Sequence, residues 1–183
     1  MDIISQLEAT RSSHIEALVK AIGSAEPVDV ESALRSSDGA LLAFGELRLP
    51  ARMNFVARGA EPIYSVQACL SDVLSFKPSR TGVDGVRFDV APFTWDRVTV
   101  EVDMAAEVVA PAIREWFLKW FDPEDLKVMD ERGLRGVVHS VSGPSQMAGG
   151  SRFVLDLGSA PFVCFFSLFS HLSNVGVRTA KVG

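Results

Sequence analysis

Residues 2–22 place Ile4, Leu7, Ile15, Leu18 and Ile22 mostly at the spacing of one helix face, interrupted by Arg11 and stopped by Gly23, which predicts an amphipathic helix. A second, shorter helix is expected over 28–36, capped by Asp29 and closed by Asp38-Gly39. From 40 to 104 the apolar period drops to that of strands. Turn signals at Leu49-Pro50, Arg58-Gly59, Lys77-Pro78, Asp84-Gly85 and Ala91-Pro92 divide this stretch into strands at 41–48, 52–57, 63–70, 86–90 and 96–104. The last sets Val98, Val100, Val102 and Met104 against Arg97, Thr99, Glu101 and Asp103, so one face is wet and an antiparallel meander is expected. If strands 86–90 and 96–104 form a hairpin, Phe88 lies opposite Val98 and Asp89 opposite Arg97.

Two helices are expected over about 110–132. Pro111 suits a first turn, and Val109, Ile113, Trp116, Phe117 and Trp120 make an apolar stripe. Asp122-Pro123-Glu124-Asp125 opens the second, which stops at Gly133. A strand at 136–142, the Gly/Ser-rich loop 142–151, a strand at 152–157, a helix at 160–172 and a strand at 177–182 close the chain. Strand, helix and strand over this length predict a right-handed crossover and a parallel pair. The expected fold is a single α+β domain over 1–183: an antiparallel β-meander with helices packed on one face, and a C-terminal β-β-α-β unit over about 136–182.

At 183 residues and 48% hydrophobic content the chain can bury a core without staples and is too apolar for disorder. Its net charge of −5 argues against a nucleic-acid or anionic-membrane partner. The N-terminus, Met1-Asp2-Ile3-Ile4-Ser5, has no basic region, and the most apolar run, Ala160 to Phe169, is too short to span a bilayer. Cys69 and Cys164 both fall in apolar patterns, as reduced thiols do. These features predict a cytoplasmic location and no membrane partner.

Candidate chemistry is sparse. His14, His139 and His171 occupy separate elements, and Glu101 and Asp103 share a strand face with only Glu107 close by in sequence, so neither a metal nor another cofactor is expected. Loop 142–151 has the glycines of a phosphate cradle but no lysine, and it runs into a strand rather than a helix. Gly158 and Ser159 lie where a strand ends and a helix begins, a place where backbone N–H groups can hold an anion, although Ser159 also looks like an ordinary N-cap.

The catalytic candidates are His139, Asp156 and a serine, Ser142 or its neighbours Ser140 and Ser145. Matching apolar faces sets Val137, His139 and Val141 opposite Leu157, Leu155 and Phe153, which turns Asp156 to the other face and argues against the dyad. The helix at 160–172 is apolar around nearly its whole circumference. Phe165 and Phe169, with Trp116 and Trp120, are therefore candidates for a partner surface, with intramolecular core the preferred reading.

The function these features favour is a small non-enzymatic protein that binds another protein, or a second copy of itself as a homodimer. The alternative is a small hydrolase-like enzyme or ligand-binding domain with a pocket near His139, Ser159 and loop 142–151. Where His139 and Asp156 point, and whether a serine joins them in an open cleft, discriminates the two.

Overall fold

The computed structural model describes residues 2–23, 28–57 and 73–183. The expected strand 63–70 and Cys69 lie outside them. Among the described residues the chain forms three helices and a mixed seven-stranded sheet, an α+β arrangement with the helices packed against the sheet. The helices are α1 (Ile3–Gly23), α2 (Ala106–Phe121) and α3 (Val163–Asn174).

Two small antiparallel pairs precede the main sheet: β1 (Val28–Val30) with β4 (Phe55–Ala57), and β2 (Ala43–Phe44) with β3 (Leu49–Pro50). The main sheet contains β5 (Ser79–Val83), β6 (Val86–Val90), β7 (Val98–Val102), β8 (Ser140–Val141), β9 (Ser145–Met147), β10 (Gly150–Asp156) and β11 (Thr179–Val182). Its order is β5-β6-β11-β7-β10-β8, with β9 also on the free edge of β10.

Several expectations are corrected. Residues 28–30 form a strand rather than a helix, because Val28 and Val30 alternate and Glu31, at φ 51°, breaks the backbone immediately after. The strand expected at 41–48 contracts to Ala43–Phe44. α2 begins at Ala106, so Pro111 lies exposed inside the helix rather than in its first turn, where its missing N–H leaves one backbone acceptor without its helical donor. The helix expected from Asp122 is a loop, because Asp122 and Asp125 both adopt left-handed conformations. Finally, β6 and β7 are not a hairpin: β11 inserts between them, parallel to β6 and antiparallel to β7. The two strands that flank α3, β10 and β11, therefore do not form the expected parallel pair: they run parallel with β7 between them, and the parallel pair of this sheet is β6 with β11.

Alternation along the strands builds the core. Val86, Phe88 and Val90 on β6, Val98, Val100 and Val102 on β7, Phe153 and Leu155 on β10, and Ala180 and Val182 on β11 are buried on the inner face. Against them pack Ile113, Trp116 and Phe117 of α2 and Phe165, Leu168 and Phe169 of α3. Phe88 stacks on Phe169 at 4.2 Å and meets Phe165 edge-on at 5.9 Å, and each buried phenylalanine contributes about 1.5–3 kcal/mol of hydrophobic stabilisation. α1 bridges this core to a smaller cluster of Ile15, Leu18, Phe55 and Leu134. No helix among the described residues is long and apolar enough to cross a membrane.

Candidate functional site

The structure gathers its unusual polar groups in two places on opposite sides of the packing. The first is a sealed node around His139, whose side chain is 1% exposed. His139 lies just before the short strand β8, so its side chain is no longer bound by the alternation that the strands impose. Its Nε2–H donates to Glu31 Oε1 at 2.8 Å, and its Nδ1 faces Asp156 Oδ2 at 3.7 Å.

The β8/β10 register is Leu155 opposite Val141, two residues along from the expected pairing but of the same parity. His139 and Asp156 approach nonetheless: the His139 N–H donates to the Asp156 carbonyl at 2.9 Å, and the N–H of Gly158, two residues beyond β10 at φ +51°, holds Asp156 Oδ1 at 2.9 Å. No other residue fits there: a Cβ on Gly158 would lie 2.3 Å from His139 Cδ2 and 2.6 Å from the Val137 carbonyl.

Glu31 is the member that sequence reasoning missed. It is wholly buried, and its carboxylate accepts the Ser159 N–H at 3.1 Å and the Arg135 N–H as well as His139. The helix expected over 28–36 hid it. The period-two pattern Val28, Val30 followed by an acid was the available signal. Burial would raise the Glu31 pKa, but the hydrogen bonds from His139, Ser159 and Arg135 outweigh it and hold the carboxyl below its ordinary value. Burial likewise opposes a charge on His139. The Asp156 and Glu31 carboxylates prevail, and its pKa is pushed up to about 10.

His139 is thus an imidazolium with no free lone pair, the wrong state for a general base. Ser142 stands apart from it, accepting the Val154 N–H at 2.8 Å, and Ser145 donates to the Arg152 carbonyl. Ser159 Oγ accepts the Gly136 N–H at 2.8 Å, and its own N–H is occupied by Glu31, so the anion at Gly158-Ser159 is the chain's own carboxylate. Ser159 does not cap α3, whose N-cap position is Phe162.

Two arginines tie the node to the helices. Arg52, fully buried, donates Nε to the Phe121 carbonyl, Nη1 to the Glu31 carbonyl and Nη2 to the Asp122 carbonyl and Asp125 Oδ1, thereby closing the C-terminus of α2. Arg11, the interruption in the apolar face of α1, donates to the carbonyls of Ser159 and Ala160 at 2.8 Å. His14 is buried beside this node, and burial lowers its pKa, so it stays neutral.

The second place is the outer face of the sheet, where Arg87, Arg152, Thr179 and Lys181 are exposed. Register aligns one charged residue from each of five neighbouring strands: Arg80 opposite Asp89, Asp89 opposite Lys181, Lys181 opposite Glu101, and Glu101 opposite Arg152. The signs alternate across the whole row. Arg80 and Asp89 form a two-pronged ion pair at 2.6 and 3.1 Å, whereas Lys181, Glu101 and Arg152 have no ion-pair partner among the described residues. The β9–β10 hairpin rises beside the row, and between its tip at Met147–Gly150 and the sheet lies a cavity of about 430 Å³. Of the pocket expected near His139, Ser159 and loop 142–151, only the loop borders this cavity.

The candidate partner residues on the helices are mostly internal. Trp116, Phe165 and Phe169 are buried, and Trp116 Nε1–H donates to the Cys164 carbonyl at 2.9 Å. Trp120 is half-buried, donates to Ser167 Oγ and carries Lys127 Nζ over its ring at 5.1 Å. Burial pushes the Cys164 thiol up to about 12, which leaves it inert. Among the described residues no three His, Cys, Asp or Glu side chains are grouped to hold a metal ion. Asp103, a considered ligand, is occupied by the N–H groups of Arg178 and Thr179. No protein-family model matches the chain, and no curated protein or solved structure does either.

Proposed function

We propose that the protein works by binding another protein chain through the outer face of its sheet, and that the His139 node holds the fold rather than performing chemistry. The observation that carries this reading is the row from Arg80 to Arg152: five charges of alternating sign, three of them without an ion-pair partner among the described residues. Charge in fixed register gives specificity and orientation to a docking surface at modest affinity. A sealed imidazolium, with Ser142 and Ser145 hydrogen-bonded to other backbone groups, offers a substrate neither a base nor a nucleophile.

Site-specific photo-crosslinking in living cells tests this. A crosslinker replacing Thr99, beside the charged row, should trap a protein of defined mass, and the same group replacing Lys119 on the exposed side of α2 should not. Equal trapping from both positions, or none from Thr99, would overturn the reading.

A further inference from the structure

The alternation has a symmetry that bears on which protein the face accepts. Number the columns of the row in sheet order: Arg80 on β5, Asp89 on β6, Lys181 on β11, Glu101 on β7, Arg152 on β10. A two-fold axis lying in the interface, parallel to the strands, reverses this order in the second molecule. An axis on a strand sets like charge over like charge, whereas an axis midway between neighbouring strands sets every facing pair at opposite sign. Midway between β11 and β7, it faces Lys181 of each copy with Glu101 of the other, and Asp89 of each with Arg152 of the other. All three residues left without an ion pair inside the chain are then partnered.

Resting on the binding reading above, we propose that the partner on this face is a second copy of the chain, docked sheet to sheet about that axis. Packed sheets keep their strands roughly aligned, which is the geometry this axis produces. The same operation carries the β9–β10 hairpin tip, with its exposed Met147, over the β6 column of the other copy, where Arg87 is exposed. The interface is isologous, so each residue serves both halves. The four strands that face each other about this axis, about 4.8 Å apart, and five residues at about 3.3 Å outline about 300 Å² per copy. Doubled, that falls below the roughly 1,200 Å² of stable complexes, so the dimer is weak and dissociates on dilution.

The test uses the intact chain and two charge reversals, Lys181→Glu and Glu101→Lys, in sedimentation velocity over a millimolar-to-micromolar dilution series. Wild type should dimerise at the upper end. Each reversal alone places like charges against each other twice across the axis and should weaken dimerisation by about 100-fold. Mixed together, one reversal supplies two acids and the other two bases at the central columns, so the mixture should recover a dimer within about tenfold of wild type. No folding defect and no axis between β6 and β11 produces that recovery. The neutral variants Lys181→Met and Glu101→Gln, which put no like charges together, should weaken dimerisation by only about tenfold.

Wild type that stays monomeric throughout, reversals that dimerise like wild type, or a mixture that stays monomeric would overturn the proposal. If wild type is monomeric while Thr99 traps a different protein in cells, the self-docking inference falls and the binding reading stands. If wild type is monomeric and Thr99 traps nothing, both fall.

Discussion

Replacing His139 by glutamine leaves the Glu31 carboxylate buried without its cation, and breaking such a pair costs about 3–5 kcal/mol. The pH dependence has a defined sign. The folded-state pKa of His139 is raised from 6.5 to about 10, so its stabilisation is complete below pH 6.5 and is lost as pH rises toward 10. Glu31 acts oppositely: its lowered pKa means that its stabilisation is present above the ordinary carboxylate value and is lost in acid. Urea unfolding of the wild type should therefore show stability declining from neutral to alkaline pH, and His139→Gln should flatten that decline. An alkaline slope unchanged in the variant contradicts the imidazolium assignment. Gly158→Ala forces a Cβ against the His139 ring at a left-handed backbone position and should cost about 2–4 kcal/mol, measured as a lowered urea midpoint.

At the scale of elements, what the sequence revealed and what it hid follow from how local each signal is. The alternation in 86–90 and 98–102 and the stripe of α2 are periodic patterns within one element, and they place those elements within a few residues. The insertion of β11 between β6 and β7 is a choice among strand pairings with equally apolar inner faces, which no local pattern distinguishes. The charged row shares that origin. Each of its residues reads as an ordinary solvated strand position, and only the strand order aligns them. The node depends on longer reach still, since Glu31 and His139 are 108 positions apart. Arg11, read as a flaw in the apolar face of α1, is its tether to the backbone before α3. Arg52 does the same for α2, and lysine lacks the planar fork that reaches its four acceptors. Arg52→Lys should cost about 2–4 kcal/mol and speed amide hydrogen exchange through the last turn of α2 ahead of the sheet core.

For the molecule as a whole, polar groups divide between the two sides of the sheet. Those behind it, near the helices, are mostly buried, with Arg11 and Arg52 tying α1 and the C-terminus of α2 to backbone carbonyls near the node, while His14 and His139 Nδ1 are buried without a hydrogen-bond partner among the described residues. Those in front lie at the surface in an order set by strand register, and Lys181, Glu101 and Arg152 have no ion-pair partner among the described residues. The surplus of aromatic residues, which from the sequence raised a partner surface on the helices, is instead consumed by the core through Phe88, Phe165 and Phe169. The most direct measurement of whether the front face is the working surface is the reactivity of Lys181 toward an amine-labelling reagent, compared with exposed Lys119 on α2, in living cells and in dilute purified protein. The account predicts that Lys181 is protected several-fold in cells and freed in dilute solution while Lys119 reacts alike in both. Equal labelling of Lys181 in the two settings would contradict it.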